Sequence, residues 1–154
     1  MTARIHPSAL VEDGVIIGAG TSVWDNVHVR GPGTTIGARC VIGEKSYVAY
    51  GVDIGDLVKI NAFVYIPTMV SIGRGAMISA HVTFTNDRYP RAATPDLEAL
   101  RPSEPDDATL ATRVGPGATI GAAAVIGPGI ELGAFSMVGI TPLEDILALA
   151  YYEC

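Results

Sequence analysis

From Ile36 to Phe84 every sixth residue is a large apolar side chain: Ile36, Ile42, Val48, Ile54, Ile60, Ile66, Ile72, Ile78 and Phe84. Four positions after each of the first eight comes a small or β-branched residue: Cys40, Ser46, Val52, Val58, Val64, Val70, Ala76 and Val82. A period of six fits neither a helix, which repeats at about 3.6, nor a plain alternating strand, which repeats at about 2. It fits short strands joined by tight corners, with one large inward side chain per strand. Three such strands complete a coil, and coils stack about 4.8 Å apart. The sequence therefore predicts an all-β chain, a parallel β-helix of hexapeptide repeats.

The same frame starts earlier, at Ile5, Val11, Ile17, Val23 and Val29. Gly31-Pro32-Gly33 then adds one residue, which a solvent-facing corner can absorb. After Phe84 the period stops. Residues 85–113 hold Pro90, Pro95, Pro102 and Pro105 and an acidic run from Asp96 to Asp107, which predicts a loop extruded from the coil. Long inserts of this kind are more often functional than accidental. The frame returns at Val114, Ile120, Ile126, Leu132 and Val138, with Ala118, Ala124, Ile130 and Ser136 at the small positions. Counting repeats gives six or seven coils over residues 1–140. Thr141-Pro142-Leu143-Glu144 then has a capping residue, a first-turn Pro and a Glu three after the cap. Leu143, Ile146, Leu147 and Ala150 share a helical face, so 141–154 reads as a helical cap, with the helix over 141–152.

At 154 residues the chain is one domain by length. Its 18 glycines suit corners. A formal charge of −6 argues against nucleic acid or an anionic membrane as a non-specific partner, but not against a small anionic ligand held by local cations. Of two cysteines, Cys40 falls on an inward position and Cys154 is terminal, so no disulfide framework is expected. Val114 to Leu143 carries one charge, Glu131, yet its Gly, Pro and six-residue period argue against a membrane span. The N-terminal residues lack the apolar core of a signal peptide. The expectation is a soluble, cytoplasmic chain.

The exit from the repeat reads Phe84-Thr85-Asn86-Asp87-Arg88-Tyr89-Pro90-Arg91-Ala92. With Ser22-Val23-Trp24 and Val27-His28-Val29 it resembles the hexapeptide-repeat nucleotide-sugar N-acetyltransferases, over about residues 20–140. The period alone does not set the coil's hand; the resemblance implies a left-handed β-helix, an exception to right-handed crossovers. It further implies a homotrimer, acetyl-CoA as donor, no metal, and a UDP- or dTDP-linked 3-amino sugar as acceptor.

The chemistry implied is direct aminolysis of a thioester. It needs a neutral amine in line with the carbonyl, a group to take or orient its proton, and donors for the oxyanion. Asp87 is the candidate acceptor of a hydrogen bond from the amine, and Asn86 the candidate for placing the sugar. Both residue types also shape turns. His81 is a candidate base, since imidazole titrates near neutral pH, or a surface residue. Trp24, His28, Tyr89 and Arg91 are candidate substrate contacts, Trp24 by stacking on a base and Arg91 by pairing with a phosphate. Backbone amides at Gly121, Ala122, Ala123 and Gly139 are candidates for CoA, with cations lent by another subunit.

The sequence departs from the resemblance at three places. Relatives often carry Glu where Thr68 stands and His where Asp25 stands, and no Lys or Arg follows Arg113. A nucleotide-sugar-binding protein with other chemistry, and a trimeric scaffold that has lost CoA, therefore stay open. The γ-carbonic anhydrases share such a coil but need three zinc histidines. His6, His28 and His81 are too widely spaced for that set.

Overall fold

A computed structural model describes residues 2–139. Among them, short strands form three parallel sheets of seven, six and six strands. Sheet A holds Arg4–Ile5, Ser22–Val23, Val41–Ile42, Lys59–Ile60, Met77–Ile78, Thr119–Ile120 and Met137–Val138. Sheet B holds Leu10–Val11, His28–Val29, Tyr47–Val48, Tyr65–Ile66, Thr83–Phe84 and Val125–Ile126. Sheet C holds Ile16–Ile17, Thr35–Ile36, Asp53–Ile54, Val70–Ile72, Thr112–Val114 and Glu131–Leu132. Successive strands go to successive sheets, so three strands close one triangular coil. The expected repeat architecture and its count of six or seven coils are found. The predicted helix over 141–152, and the cap of which it is part, lie outside the described residues.

From Val23 to Ile126 each strand turns its last residue inward. Ile42, Ile60, Ile78 and Ile120 stack inside sheet A; Val29, Val48, Ile66 and Phe84 stack inside sheet B; all eight are fully buried. A buried side chain of this size contributes about 1.5–3 kcal/mol, and β-branched residues suit the pleat. The small inward positions do a second job. The hydroxyl of Thr21 donates to Gly37 O (2.7 Å) and accepts from Cys40 N–H (2.9 Å). Ser46 does the same between Asn61 O and Val64 N–H, at 3.1 Å each. Cys40 is buried as expected, and burial pushes its thiol up from its ordinary range.

Register shows how the interruptions are absorbed. Lys59 pairs with Val41 on one side and Met77 on the other, a step of one coil each way. Ser22 pairs with Val41 and Ile16 with Thr35, one residue further, because Gly31–Gly33 sits in the corner between them. Ser71 pairs with Arg113 in the same frame, although residues 85–111 intervene. Those residues fold as an antiparallel arm, bridged at Asp87–Thr109 and Ala93–Leu100. The arm ends earlier than the interruption of the period suggests. Thr112 already lies in the sheet, buried, with its N–H on Met69 O (3.0 Å) and its hydroxyl on Gly127 O (3.3 Å).

Corners were expected to be glycine's territory, and the structure divides that role. Every coil turns through a left-handed residue, and Asn26, Arg39, Lys45, Leu57, Phe63, Met69, His81, Ala123 and Phe135 adopt it with φ between 53° and 67°. Such a conformation costs a non-glycine residue about 1–2 kcal/mol. It also aims the N–H at the adjacent coil, as in Phe63 N–H to Glu44 O (3.0 Å) and His81 N–H to Ala62 O (3.1 Å). Glycine is required for a different reason where sheet C turns into sheet A. Gly18, Gly37, Gly55, Gly73 and Gly115 form a column there, each so close to the next coil that a Cβ would lie 2.5–2.8 Å from its backbone.

Gly37→Ala would place Cβ 2.5 Å from Asp56 N, an overpacking expected to cost about 1–3 kcal/mol. Gly133→Ala, at the end of the same column, meets nothing within 4 Å and should stay within about 0.5 kcal/mol. Thermal unfolding of the two variants checks this. A midpoint several degrees lower for Gly37→Ala alone is expected; equal midpoints would remove close approach as the constraint.

Candidate active site

The candidate residues fall on two corners and one face. Where sheet B turns into sheet C, the coil opens after Phe84 and the arm leaves. Asn86 is fixed at that exit: its side-chain amide donates to Thr68 O (3.2 Å), and its carbonyl accepts Leu110 N–H (2.7 Å) from the returning limb. Asp87 follows. One carboxylate oxygen accepts Tyr89 N–H at 2.8 Å, a local turn of the sort Asp favours. The other lies 3.6 Å from the guanidinium of Arg101. Asn86, Asp87, Arg91, Arg101 and Thr68 line one cleft of about 390 Å³. The guanidinium of Arg91 bonds Pro90 O (3.0 Å). Tyr89 and Arg91 also border a more apolar hollow of about 730 Å³ within the arm, with Ala93, Pro95 and Leu97.

Trp24, His81 and the residues assigned to CoA sit elsewhere, where sheet A turns into sheet B. Trp24 lies under the Arg4 guanidinium (4.7 Å to the ring centre) and borders a shallow groove of about 310 Å³ with Glu44, Asn61 and Ala80. His81 stacks flat on Phe63, with centroids 4.9 Å apart and 4° between planes. Gly121, Ala122 and Ala123 form the next step of this corner, and Gly139 follows the last strand of sheet A. Two of the four amides assigned to CoA are committed. Gly121 N–H donates to Val138 O (2.8 Å) and Ala123 N–H to Ala80 O (2.9 Å), so the coil itself uses those donors. The chain does not bring His81 and Asp87 together, because the strand Thr83–Phe84 separates their corners.

His28 lies on the outer face of sheet B. Its Nε2 meets the Glu12 carboxylate at 2.7 Å, and this bond is the main cause holding Glu12 below the usual carboxylate range. Its ring meets Tyr47 edge-on (5.5 Å), and Tyr47 stacks on Tyr65 (5.3 Å, 8°). Arg30 adds its charge 3.4 Å from Glu12. Burial, then the neighbouring Tyr47, pushes the Tyr65 hydroxyl up. Sequence reasoning by hexads passed over Tyr47 and Tyr65. The readable signal was the whole-coil step, which places His28, Tyr47, Tyr65 and Thr83 in one row.

Arg101 was also missed, and it organises the arm. Its guanidinium bonds Tyr89 O (2.9 Å) and the carboxylate of Asp106, besides facing Asp87. Asp106 in turn accepts Ala108 N–H (2.8 Å). The bond from Arg101 is the main cause that lowers Asp106, and Asp106 in turn raises Arg101. Among the described residues no group of three or more His, Cys, Asp or Glu side chains could hold a metal ion, and no helix is long and apolar enough to cross a membrane.

Comparison with known proteins agrees with this coil. The family of bacterial transferase hexapeptides (six repeats) matches residues 33–68, and the hexapeptide repeat of succinyl-transferases matches 111–139. The chain carries the bacterial transferase hexapeptide repeat, and its fold is the left-handed β-helix. It is similar to the acetyltransferase domain of PglB from Neisseria gonorrhoeae FA1090, solved with acetyl coenzyme A, at 20% identity and a TM-score of 0.59; the match covers 87% of this chain and 55% of that one. A variant of the GDP-perosamine N-acetyltransferase of Caulobacter crescentus, solved with CoA and GDP-perosamine, matches at 21% identity and a TM-score of 0.50, over 91% of this chain and 54% of that one. The bifunctional protein GlmU of Paenarthrobacter aurescens (strain TC1) is 32% identical over 92 residues, 54% of this chain and 18% of that protein. The chain thus spans about half or less of these relatives.

The arm should loosen without the coil. Asp106→Asn removes the charged partner of Arg101, and trypsin should then cut after Arg88 or Arg91 several-fold faster while the circular dichroism of the coil is unchanged. Cleavage at the parental rate would show that the ion pair does not hold the arm.

Proposed function

We propose that the protein is an acetyl-CoA-dependent N-acetyltransferase that acts on the amine of a nucleotide-linked amino sugar. The observation that carries the reading is the cleft at the root of the arm, where Asn86, Asp87 and Arg91 converge on a hexapeptide-transferase coil. Two structural relatives were solved with CoA or its acetyl ester, one of them also with GDP-perosamine, which supports this donor and an amino-sugar acceptor. The FTND-x-YPRA run favours a UDP- or dTDP-linked 3-amino sugar.

In this reading the neutral amine attacks the acetyl carbonyl carbon. A C–N bond forms, the C–S bond breaks, and the proton lost by the amine ends on the departing thiolate. No covalent enzyme intermediate is needed. The Asp87 oxygen facing the cleft accepts a hydrogen bond from the amine, and Asn86 holds the sugar. Arg91 faces the phosphates, and Tyr89 packs on the acceptor. The donor runs along the other corner, past Gly121, Ala122, Ala123 and Gly139. With the Gly121 and Ala123 amides spent on the coil, that corner grips the donor by the Ala122 and Gly139 amides and by packing, and neighbouring copies lend cations. The reading includes a homotrimer, as the family resemblance implies, in which the corner of one copy faces the arm cleft of the next. Trp24, His28 and His81 then enter the site from the neighbouring copy, His81 as the candidate base.

A second reading keeps the sugar-nucleotide site but uses other chemistry. The stretch after Arg113, which holds acidic residues and no Lys or Arg, favours it. Calorimetry separates the two. Heat on titrating acetyl-CoA, and at least a tenfold loss of transfer in Asp87→Asn, are expected. No donor binding at millimolar concentration, with a nucleotide sugar still bound, would turn the assignment to the second reading.

A further inference from the structure

Arg101 sits twelve residues beyond Tyr89 in sequence yet closes the cleft beside it. Its side chain is three-quarters buried, an uncommon state for a residue in an exposed arm. Three contacts surround its guanidinium: the carbonyl of Tyr89 on the outgoing limb, the carboxylate of Asp106 on the returning limb, and the carboxylate of Asp87 at the exit from the coil. The planar fork of an arginine holds several acceptors in fixed directions, which a lysine does with less geometry.

The contacts differ in kind. The contacts to Tyr89 and Asp106 are hydrogen bonds. The contact to Asp87, at 3.6 Å, is electrostatic and too long for one. That distinction matters for an oxygen that must accept a hydrogen bond from a substrate. A carboxylate has about four acceptor positions. Tyr89 N–H uses one on the first oxygen. The Arg101 guanidinium lies beside the second oxygen without hydrogen-bonding it, so the acceptor positions of that oxygen stay free on this side. Arg91, Glu104 and Asp106 are the other charged groups lining the cleft, and Asp106 is already committed to Arg101.

We propose that Arg101 is a positioning residue for Asp87, anchored by Asp106 so that its guanidinium orients the Asp87 carboxylate toward an amine in the cleft. The inference rests on the acetyltransferase reading only for the identity of the group that Asp87 receives. The clip itself is a property of the arm. Misplacing an acceptor by about 1 Å can cost about a hundredfold in rate, so a residue that touches no reacting atom can still govern turnover.

A double-mutant cycle with an independent readout tests it. Acetyl transfer from acetyl-CoA to a dTDP- or UDP-linked 3-amino sugar is measured for the parent, Arg101→Gln, Asp87→Asn and the double variant. Arg101→Gln is expected to lower kcat about tenfold in the parent and less than twofold in the Asp87→Asn background. Arg101→Lys, which keeps the charge but not the fork, should recover only part of the loss. Equal losses in both backgrounds would mean that Arg101 only braces the arm, and would overturn the proposal. In parallel, hydrogen exchange followed by NMR reports the Asp87 turn through the Tyr89 amide, with the Arg88 amide, bonded to Ala108 O, as the control for general loosening of the arm. Tyr89 exchange should quicken about tenfold in Arg101→Gln while Arg88 exchange stays near the parental rate, and Arg101→Lys should reverse only part of the change. Unchanged exchange in Arg101→Gln overturns the proposal whatever the activity. If the parent shows no transfer but Tyr89 exchange responds, the acetyltransferase reading falls and the clip stands.

Discussion

The structure depends on one repeated contact, the parallel pairing of each strand with the strand one coil away. Its spacing leaves no slack. Where sheet C turns into sheet A, the backbone of each coil lies so close to the next that only glycine fits, from Gly18 to Gly115. The inner hydroxyl of Thr21 bridges neighbouring coils at that turn, and that of Ser46 does so where sheet A turns into sheet B. The left-handed corner residues carry backbone strain, and each N–H they aim at the adjacent coil offsets it. Strain and hydrogen bond come from the same dihedral angle, so neither can be relaxed alone.

This rigidity makes an arm possible. A chain that leaves one coil and must rejoin the next in frame has two fixed ends. Phe84 is buried at the exit, and Thr112 is buried at the re-entry beside Met69. What lies between is free to vary in sequence but not in anchorage. Asn86 spans the root, bonded to Thr68 on the coil and to Leu110 on the returning limb. Arg101 ties the limbs together further out. Candidate chemistry collects at this root because it is the one part of the arm that inherits the precision of the coil.

The coil was legible because it is a period, and every large inward position from Ile36 to Phe84 follows it. The corner insertion at Gly31–Gly33 and the arm were legible as breaks in that period. Other features were hidden for physical reasons. Thr112 looks polar and was counted with the arm, although its hydroxyl is satisfied inside the coil. Phe63 and His81 give no sign in sequence of a left-handed corner, since the hydrogen bond that stabilises it comes from a residue a coil away. The amides of Gly121 and Ala123 look available along the chain and are spent on Val138 and Ala80 in space. Arg101 and Asp106 are two charges in an acidic, proline-rich run until folding sets them against Asp87.

The account makes the root of the arm the acceptor site and the opposite corner the donor site. The most direct measurement is a crystal structure with a nucleotide-linked 3-amino sugar bound. The account predicts the sugar in the cleft between Thr68, Asn86 and Arg101, its amine within hydrogen-bond reach of the Asp87 oxygen that faces Arg101. A ligand seated instead in the groove beside Trp24 and Asn61, with no contact to Asn86 or Asp87, would contradict it.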